Sequence, residues 1–216
     1  MSQLTLPHFA VIAISAYLLG SLSFAIIVCK MALHKDIRDY GSGNAGLTNA
    51  YRTMGASKTL LVLLGDIAKG AAAVAIGALL GGPLGKLIAG VFVILGHMFP
   101  VYFGFRGGKG VLVGAVMLAL FDWRIFLAAL ALFLIAVVFT RWISLGSVLG
   151  AASFPITMFV FYRDPVMVGI AFGMAAAVII MHRANIGRML RGEENKFSFQ
   201  SKKTIESRTE EEEEQG

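Results

Sequence analysis

The sequence predicts an all-α fold, a polytopic bundle of about seven transmembrane helices. Three observations predict it. Only 15% of the 216 residues are charged, against about 25% in soluble domains, too few to coat a water-facing surface. Hydrophobic residues make up 57%, and the mean hydropathy is +0.76. Apolar runs approaching the ~20 residues of a membrane crossing recur along the chain. This composition excludes a secreted disulfide scaffold, a coiled coil and a disordered chain. The single Cys29 rules out an intrachain disulfide.

The first apolar run follows Met1–His8, extends to about Leu33 and is read as helix 1. It is too long for a signal-peptide core and has no small-residue cleavage site. A polar, glycine-rich loop, His34–Lys58, comes next. Helix 2 is expected over Thr59–Leu80, with Asp66 and Lys69 inside it, and helix 3 over Leu84–Phe103. A basic glycine cluster, Arg106–Gly110, precedes a short helix 4, Val111–Phe121. Helices 5, 6 and 7 are expected over Ile125–Thr140, Ile143–Tyr162 and Pro165–Met181. The expected organisation is one membrane domain, residues 1–194, and a disordered tail, 195–216, with the acidic run Glu210–Glu214 near its end.

Seven spans put the termini on opposite sides. Of the 19 Lys and Arg residues, 15 then fall on one side, 3 on the other, and Lys69 lies within helix 2. The excess marks the cytoplasmic side, so the N-terminus is expected outside and the C-terminus inside. The net charge of +6 reads as basic cytoplasmic loops. No nucleic-acid partner is expected, and none among proteins.

Three polar clusters fall on the cytoplasmic face in this topology. The first is Gly41-Ser42-Gly43-Asn44-Ala45-Gly46-Leu47-Thr48-Asn49, with Arg52 close behind. Such glycines let successive amides turn inward around an anion. Ser42, Thr48 and Asn49 add donors, and Arg52 a planar cation suited to phosphate oxygens. The second cluster is Gly96-His97-Met98-Phe99-Pro100 followed by Arg106-Gly107-Gly108-Lys109-Gly110. A glycine backbone plus a lysine suits a small phosphate. The third is His182-Arg183-Ala184-Asn185-Ile186-Gly187-Arg188 with Arg191-Gly192-Glu193-Glu194. If helix continues there, His182, Asn185 and Arg188 share a face. Asp66 and Lys69, three apart, make a neutralising pair that should face the bundle interior. Arg141 and Ser144 flank the remaining cytoplasmic loop.

Three familiar patterns fail on context. Gly41-x-Gly43-x-x-Gly46 matches the dinucleotide fingerprint, but it follows a membrane helix rather than a strand. The glycine–lysine cluster is not a nucleotide loop, because Phe103 and Gly110 occupy positions that need Gly and Ser/Thr. His34 and Asp39 match the H-x-x-x-x-D spacing of a soluble acyltransferase class, without that class's scaffold. From the residues alone the protein is either an enzyme joining a phosphorylated solute to a lipid, or a transporter of an anionic solute. A purely structural subunit leaves the clusters unexplained.

Taken together, the clusters resemble the bacterial acyl-phosphate:glycerol-3-phosphate acyltransferase family. Its signatures read G-S-G-N-x-G-A-T-N-x-x-R, then G-H-x-F-P with G-G-K-G, then H-R-x-N-I-x-R-L with G-x-E. All three occur here in order, from Gly41 to Glu193, with Leu47 in place of Ala and Met189 in place of Leu. The resemblance implies transfer of a fatty acyl group from acyl-phosphate to glycerol 3-phosphate at the membrane, with no metal or other cofactor. It implies catalytic roles for His182, Asn185, Ser42 and Arg52. Substrate would be held by Gly41, Gly43, Asn44, Thr48, Asn49, Lys69, His97, Gly107, Gly108, Lys109, Ser144 and Glu193.

Overall fold

The computed structural model describes residues 4–198 and Ile205. Among the described residues eight α-helices follow one another: α1 Leu6–Gly20, α2 Phe24–Leu33, α3 Leu47–Met98, α4 Val111–Phe121, α5 Trp123–Thr140, α6 Ile143–Tyr162, α7 Pro165–Met181 and α8 Arg183–Leu190. Single 3-10 turns lie at Ile37–Asp39 and Val101–Phe103, and no strand occurs among the described residues. Apart from 195–198 and Ile205, the expected tail lies outside the described residues.

Helix 1 of the sequence reading is two helices. The break at Ser21–Ser23 has a steric and a polar cause. Gly20 lies against the backbone of Val93 so closely that a side chain there would overlap the Val93 carbonyl. Ile26 N–H bonds the Ser23 carbonyl at 3.0 Å, and the Leu22 carbonyl instead accepts from Lys69 Nζ at 2.8 Å. A buried lysine therefore satisfies the carbonyl that the break leaves without a helical partner.

The following loop is shorter than expected, because α3 begins at Leu47. Its first two turns are polar enough to read as loop. They are helical because their polar face borders a cavity. Gly55 (φ 78°) interrupts α3, and Gly82 (φ 55°), just before Pro83, interrupts it again. At Gly82 the chain doubles back: a side chain on Gly77 would overlap the Gly85 carbonyl, and one on Gly85 the Gly77 carbonyl. In a straight helix these residues would lie about 12 Å apart. The two limbs are the expected helices 2 and 3, the second ending at Met98 before Pro100 rather than at Phe103.

Leu6–Leu33, Leu47–Phe103, Trp123–Thr140 and Ile143–Tyr162 are long and apolar enough to cross a membrane, and α7 with α8, bent by 59°, makes a fifth such segment. With the fold-back at Gly82, all seven apolar segments of the sequence reading are helical. The 11 residues of α4 rise only about 16 Å, half of a ~30 Å hydrocarbon core, so α4 is not a full crossing by length.

Large side chains such as Leu79, Val138 and Phe139 are exposed, as lipid contact requires. Between helices, small residues allow close approach: Gly96 abuts the Tyr17 carbonyl, and Gly146 abuts Phe133. One apolar core, including Ile12, Leu87, Val93, Met117, Ile125 and Met158, ties α1 and α3 to α4–α6.

Candidate active site

The three polar clusters meet at one end of the bundle, around a cavity of about 420 Å³. Ser42, Asn44, Thr48, Asn49, Arg52, Asp66, His97, Lys109, Ser144, His182, Asn185, Arg188 and Glu194 line its polar head. Its body runs between α4, α5, α6 and α7 along Leu118, Phe126, Phe133, Phe154, Met174 and Val178.

The first loop is folded by Asn49. Its Oδ1 accepts from Ser42 N–H at 2.8 Å, and its Nδ2 donates to the carbonyls of Tyr40 at 3.0 Å and Ile37 at 3.3 Å. The side chain expected to offer donors to substrate thus spends both on the loop. Gly41 (φ 62°) and Gly43 (φ 68°) take the left-handed turns and stay off the cavity wall. Arg52 lies one turn beyond Thr48 on α3, and its guanidinium has no hydrogen-bond partner among the described residues.

Glycines 107 and 108 are dictated by packing. Gly107 N–H bonds the Met98 carbonyl at 3.1 Å, and Gly108 N–H the His97 carbonyl at 3.0 Å. A side chain on Gly107 would overlap the His97 carbonyl, and one on Gly108 the His97 imidazole. Neither glycine lines the cavity; together they deliver Lys109, next to the Gly110 that caps α4. Burial, opposed by Glu194 and reinforced by Arg188 and Arg52, pushes the Lys109 ammonium down to about 8. The Asp36–Arg38 pair staples the first loop to the second. Arg38 Nη1 donates to the Phe103 carbonyl at 2.7 Å and the Arg106 carbonyl at 3.3 Å. Hydrogen bonds from Arg38 hold the Asp36 carboxyl at about 2.

The third cluster follows the bend between α7 and α8. Lys109 Nζ donates to Asn185 Oδ1. Asn185 Nδ2 in turn donates to Glu194 Oε1 at 2.7 Å. Glu194 also accepts from Ser144 Oγ at 2.8 Å and Arg188 Nε at 2.8 Å. Burial would raise the Glu194 carboxyl, but the bonds from Asn185, Ser144 and Arg188 outweigh it and hold it below its usual range. Glu193, singled out in the sequence, points elsewhere and pairs with Arg191 at 2.7 Å on the exposed surface. Gly192 (φ 73°) makes the turn that brings Glu194 inward. The R-G-E-E string contains both acids; the G-x-E spacing counted from Gly192 falls on Glu194, the residue next to the Glu193 singled out above.

Lys69 also departs from its expected role. It is buried behind the wall, 2.7 Å from Asp66 Oδ1, bonded to the Leu22 carbonyl and 3.0 Å from His97 Nδ1. It does not line the cavity, whereas Asp66 does. His34 ends α2 in a left-handed conformation (φ 52°), away from the cavity.

Residues 10–192 match the family model described as glycerol-3-phosphate acyltransferase. Glycerol-3-phosphate acyltransferase 2 of Bacillus anthracis is 39% identical over 184 residues, covering 85% of this chain and 96% of its own. The glycerol-3-phosphate acyltransferase of Shouchella clausii is 43% identical over 188 residues, covering 84% and 92%. Among solved structures, PlsY (YgiH), an integral membrane glycerol 3-phosphate acyltransferase, in its glycerol 3-phosphate form matches with a TM-score of 0.83 at 33% identity, covering 89% of this chain and 99% of that one. Its lysophosphatidic acid form gives 0.79 at 32%, covering 88% and 95%. Fold and site define an integral membrane acyltransferase. The chain belongs to the glycerol-3-phosphate acyltransferase family.

The two neighbouring acids provide a direct test of the site. Glu194→Gln should lower kcat/KM by about tenfold or more, since charge-assisted bonds of ~1.5–3 kcal/mol are weakened. Glu193→Ala, on the exposed surface, should stay within about twofold, as exposed ion pairs contribute little. Steady-state kinetics on both variants measures the difference.

Proposed function

We propose that the protein transfers a fatty acyl group from acyl-phosphate to the sn-1 hydroxyl of glycerol 3-phosphate, releasing lysophosphatidic acid and inorganic phosphate. One observation carries this reading: a single cavity joins a cationic head, with Arg52, Lys109 and Arg188, to an apolar body between α4, α5, α6 and α7. The head suits phosphate oxygens, and the body an acyl chain from the surrounding membrane. The glycerol 3-phosphate and lysophosphatidic acid forms of PlsY fit the same assignment of acceptor and product. A transporter would need polar lining through to the far face, and here the far end is apolar.

In the proposed reaction the hydroxyl oxygen bonds to the acyl carbon, the carbon–oxygen bond to phosphate breaks, and phosphate leaves with the electron pair. Phosphate is a good leaving group, so the demand on a base is modest. Two acceptors exist for the hydroxyl proton: an oxygen of a substrate phosphate, and His182 Nε2. His182 Nδ1 lies 2.8 Å from the Val178 carbonyl. A carbonyl only accepts, so Nδ1 carries the hydrogen and Nε2 of the neutral ring the lone pair. Asn185, held between Lys109 and Glu194, and Ser42 complete the proposed catalytic set.

Purified protein given acyl-phosphate and glycerol 3-phosphate should release phosphate and form lysophosphatidic acid, with undiminished rate in a metal chelator. Full activity with acyl-CoA and none with acyl-phosphate would overturn the donor assignment.

We place the site on the cytoplasmic side, from the excess of Lys and Arg there. Cys29 is buried, so a cysteine added after Gly216 would be the accessible thiol. It should react with an impermeant reagent only in opened cells. Labelling in intact cells would reverse the orientation.

A further inference from the structure

Two histidines line the cavity, His97 and His182, and their Nδ1 atoms meet opposite partners. That of His182 faces a carbonyl, as above. That of His97 faces the Nζ of Lys69 at 3.0 Å. Lys69 Nζ also donates to the Leu22 carbonyl at 2.8 Å and forms an ion pair with Asp66 at 2.7 Å, although Asp66 Oδ1 accepts no well-directed hydrogen bond. An ammonium has no lone pair, so its contact with His97 Nδ1 can only be a donation. With Nδ1 accepting, a neutral His97 carries its hydrogen on Nε2. Nε2 abuts Gly108, one residue from Lys109. Nothing accepts from it among the described residues, although His97 is only 4% exposed. It opens on the cavity, where a ligand oxygen can accept from it.

We infer that Lys69 is a positioning residue that fixes His97 as its Nε2–H tautomer, and that His97 donates this hydrogen bond to a phosphate oxygen of a substrate bound beside Lys109. The identity of the substrate rests on the acyl-transfer reading above; the tautomer does not. The two cavity histidines are then held in opposite states, His97 as a donor and His182 with a lone pair.

Protein labelled with ¹⁵N at its four histidines, assigned by single substitutions, tests this directly. Without ligand at pH 7, His97 should show the Nε2–H tautomer. Inorganic phosphate or glycerol 3-phosphate should shift its Nε2 signal, and Lys69→Gln should disturb the tautomer. A proton on Nδ1, or on both nitrogens, in the parent protein would overturn the tautomer assignment even if Lys69→Gln does not fold. An Nε2 signal unmoved at saturating levels of both phosphates would overturn the donor role.

Kinetics supply the second arm. His97→Ala should lose about a hundredfold in kcat/KM, as for removal of one preorganised donor. His97→Gln, whose amide can stand near Nε2, should recover most of that loss; equal losses would contradict the donor role. A rise in KM for glycerol 3-phosphate, or instead for acyl-phosphate, identifies which phosphate is held. If the acyl-transfer reading failed, the parent protein would be inactive with acyl-phosphate while the tautomer and the phosphate-induced shift persisted.

Discussion

His182→Ala should lower turnover by something like the 10²–10⁴-fold typical of general acid–base groups, with the folded protein retained. The ring is 2% exposed, borders the cavity and is oriented by one bond to the Val178 carbonyl. Removing it deletes the Nε2 lone pair and leaves that carbonyl with other helical donors, since the His182 amide also bonds Val178 at 3.2 Å. The loss should therefore fall on kcat more than on stability. His34→Ala should stay within about threefold of the parent, because His34 caps α2 outside the cavity and contributes no charge or donor to it. Turnover of the two variants, with circular dichroism as a folding control, decides the matter. An inactive His34→Ala beside an active His182→Ala would reopen the H-x-x-x-x-D reading. Loss of only a few-fold at His182 would leave a substrate phosphate as the proton acceptor.

Apolar length made the helices legible. Val111–Phe121, Ile143–Tyr162 and Pro165–Met181 have the same bounds in sequence and structure, because each is a clean apolar run between polar or turn-forming residues. Composition alone misled where polar residues sit inside a helix. Thr48, Asn49, Arg52 and Thr53 read as loop, yet they form the opening turns of α3 on the cavity's edge. The break at Ser21–Ser23 was hidden because its causes are distant in sequence: the approach of Val93 to Gly20 and the reach of Lys69 to Leu22.

The cavity residues were legible as types and less so as roles. Glycine, asparagine and lysine announced an anion site, but not that Asn49 would be consumed by its own loop or Lys69 by Asp66 and His97. Spacing of three put Asn185 beside His182 on the chain. Only the fold shows the bond from Lys109, 76 residues away, that meets it. Arg38 has no local signal in the sequence that its partners are the carbonyls of Phe103 and Arg106.

Lys109→Ala should lower kcat/KM by roughly 10²-fold, the scale of one lost charged donor in a water-poor site. Lys109 also sets a pH limb. Its ammonium is held down to about 8 by burial. Below that pH it is charged and attracts phosphate; above it the group becomes neutral, and the attraction is lost. A phosphate monoester has already reached its dianionic form above about pH 6, so a fall in kcat/KM near pH 8 belongs to the protein and not to the substrate. Bound phosphate favours the charged lysine, so in kcat the same fall should move to higher pH. Lys109→Arg should remove the limb, because a guanidinium stays protonated throughout this range. Arg52 supplies the contrasting case. Its role is geometric, so Arg52→Lys keeps the charge but gives up the planar fork. One charge-assisted hydrogen bond of ~1.5 kcal/mol lost there corresponds to about tenfold in kcat/KM, with the pH profile unchanged. Profiles of kcat/KM from pH 6 to 9.5 for the parent and these variants separate the two roles. A limb near pH 8 that survives in Lys109→Arg would assign the titration to another group.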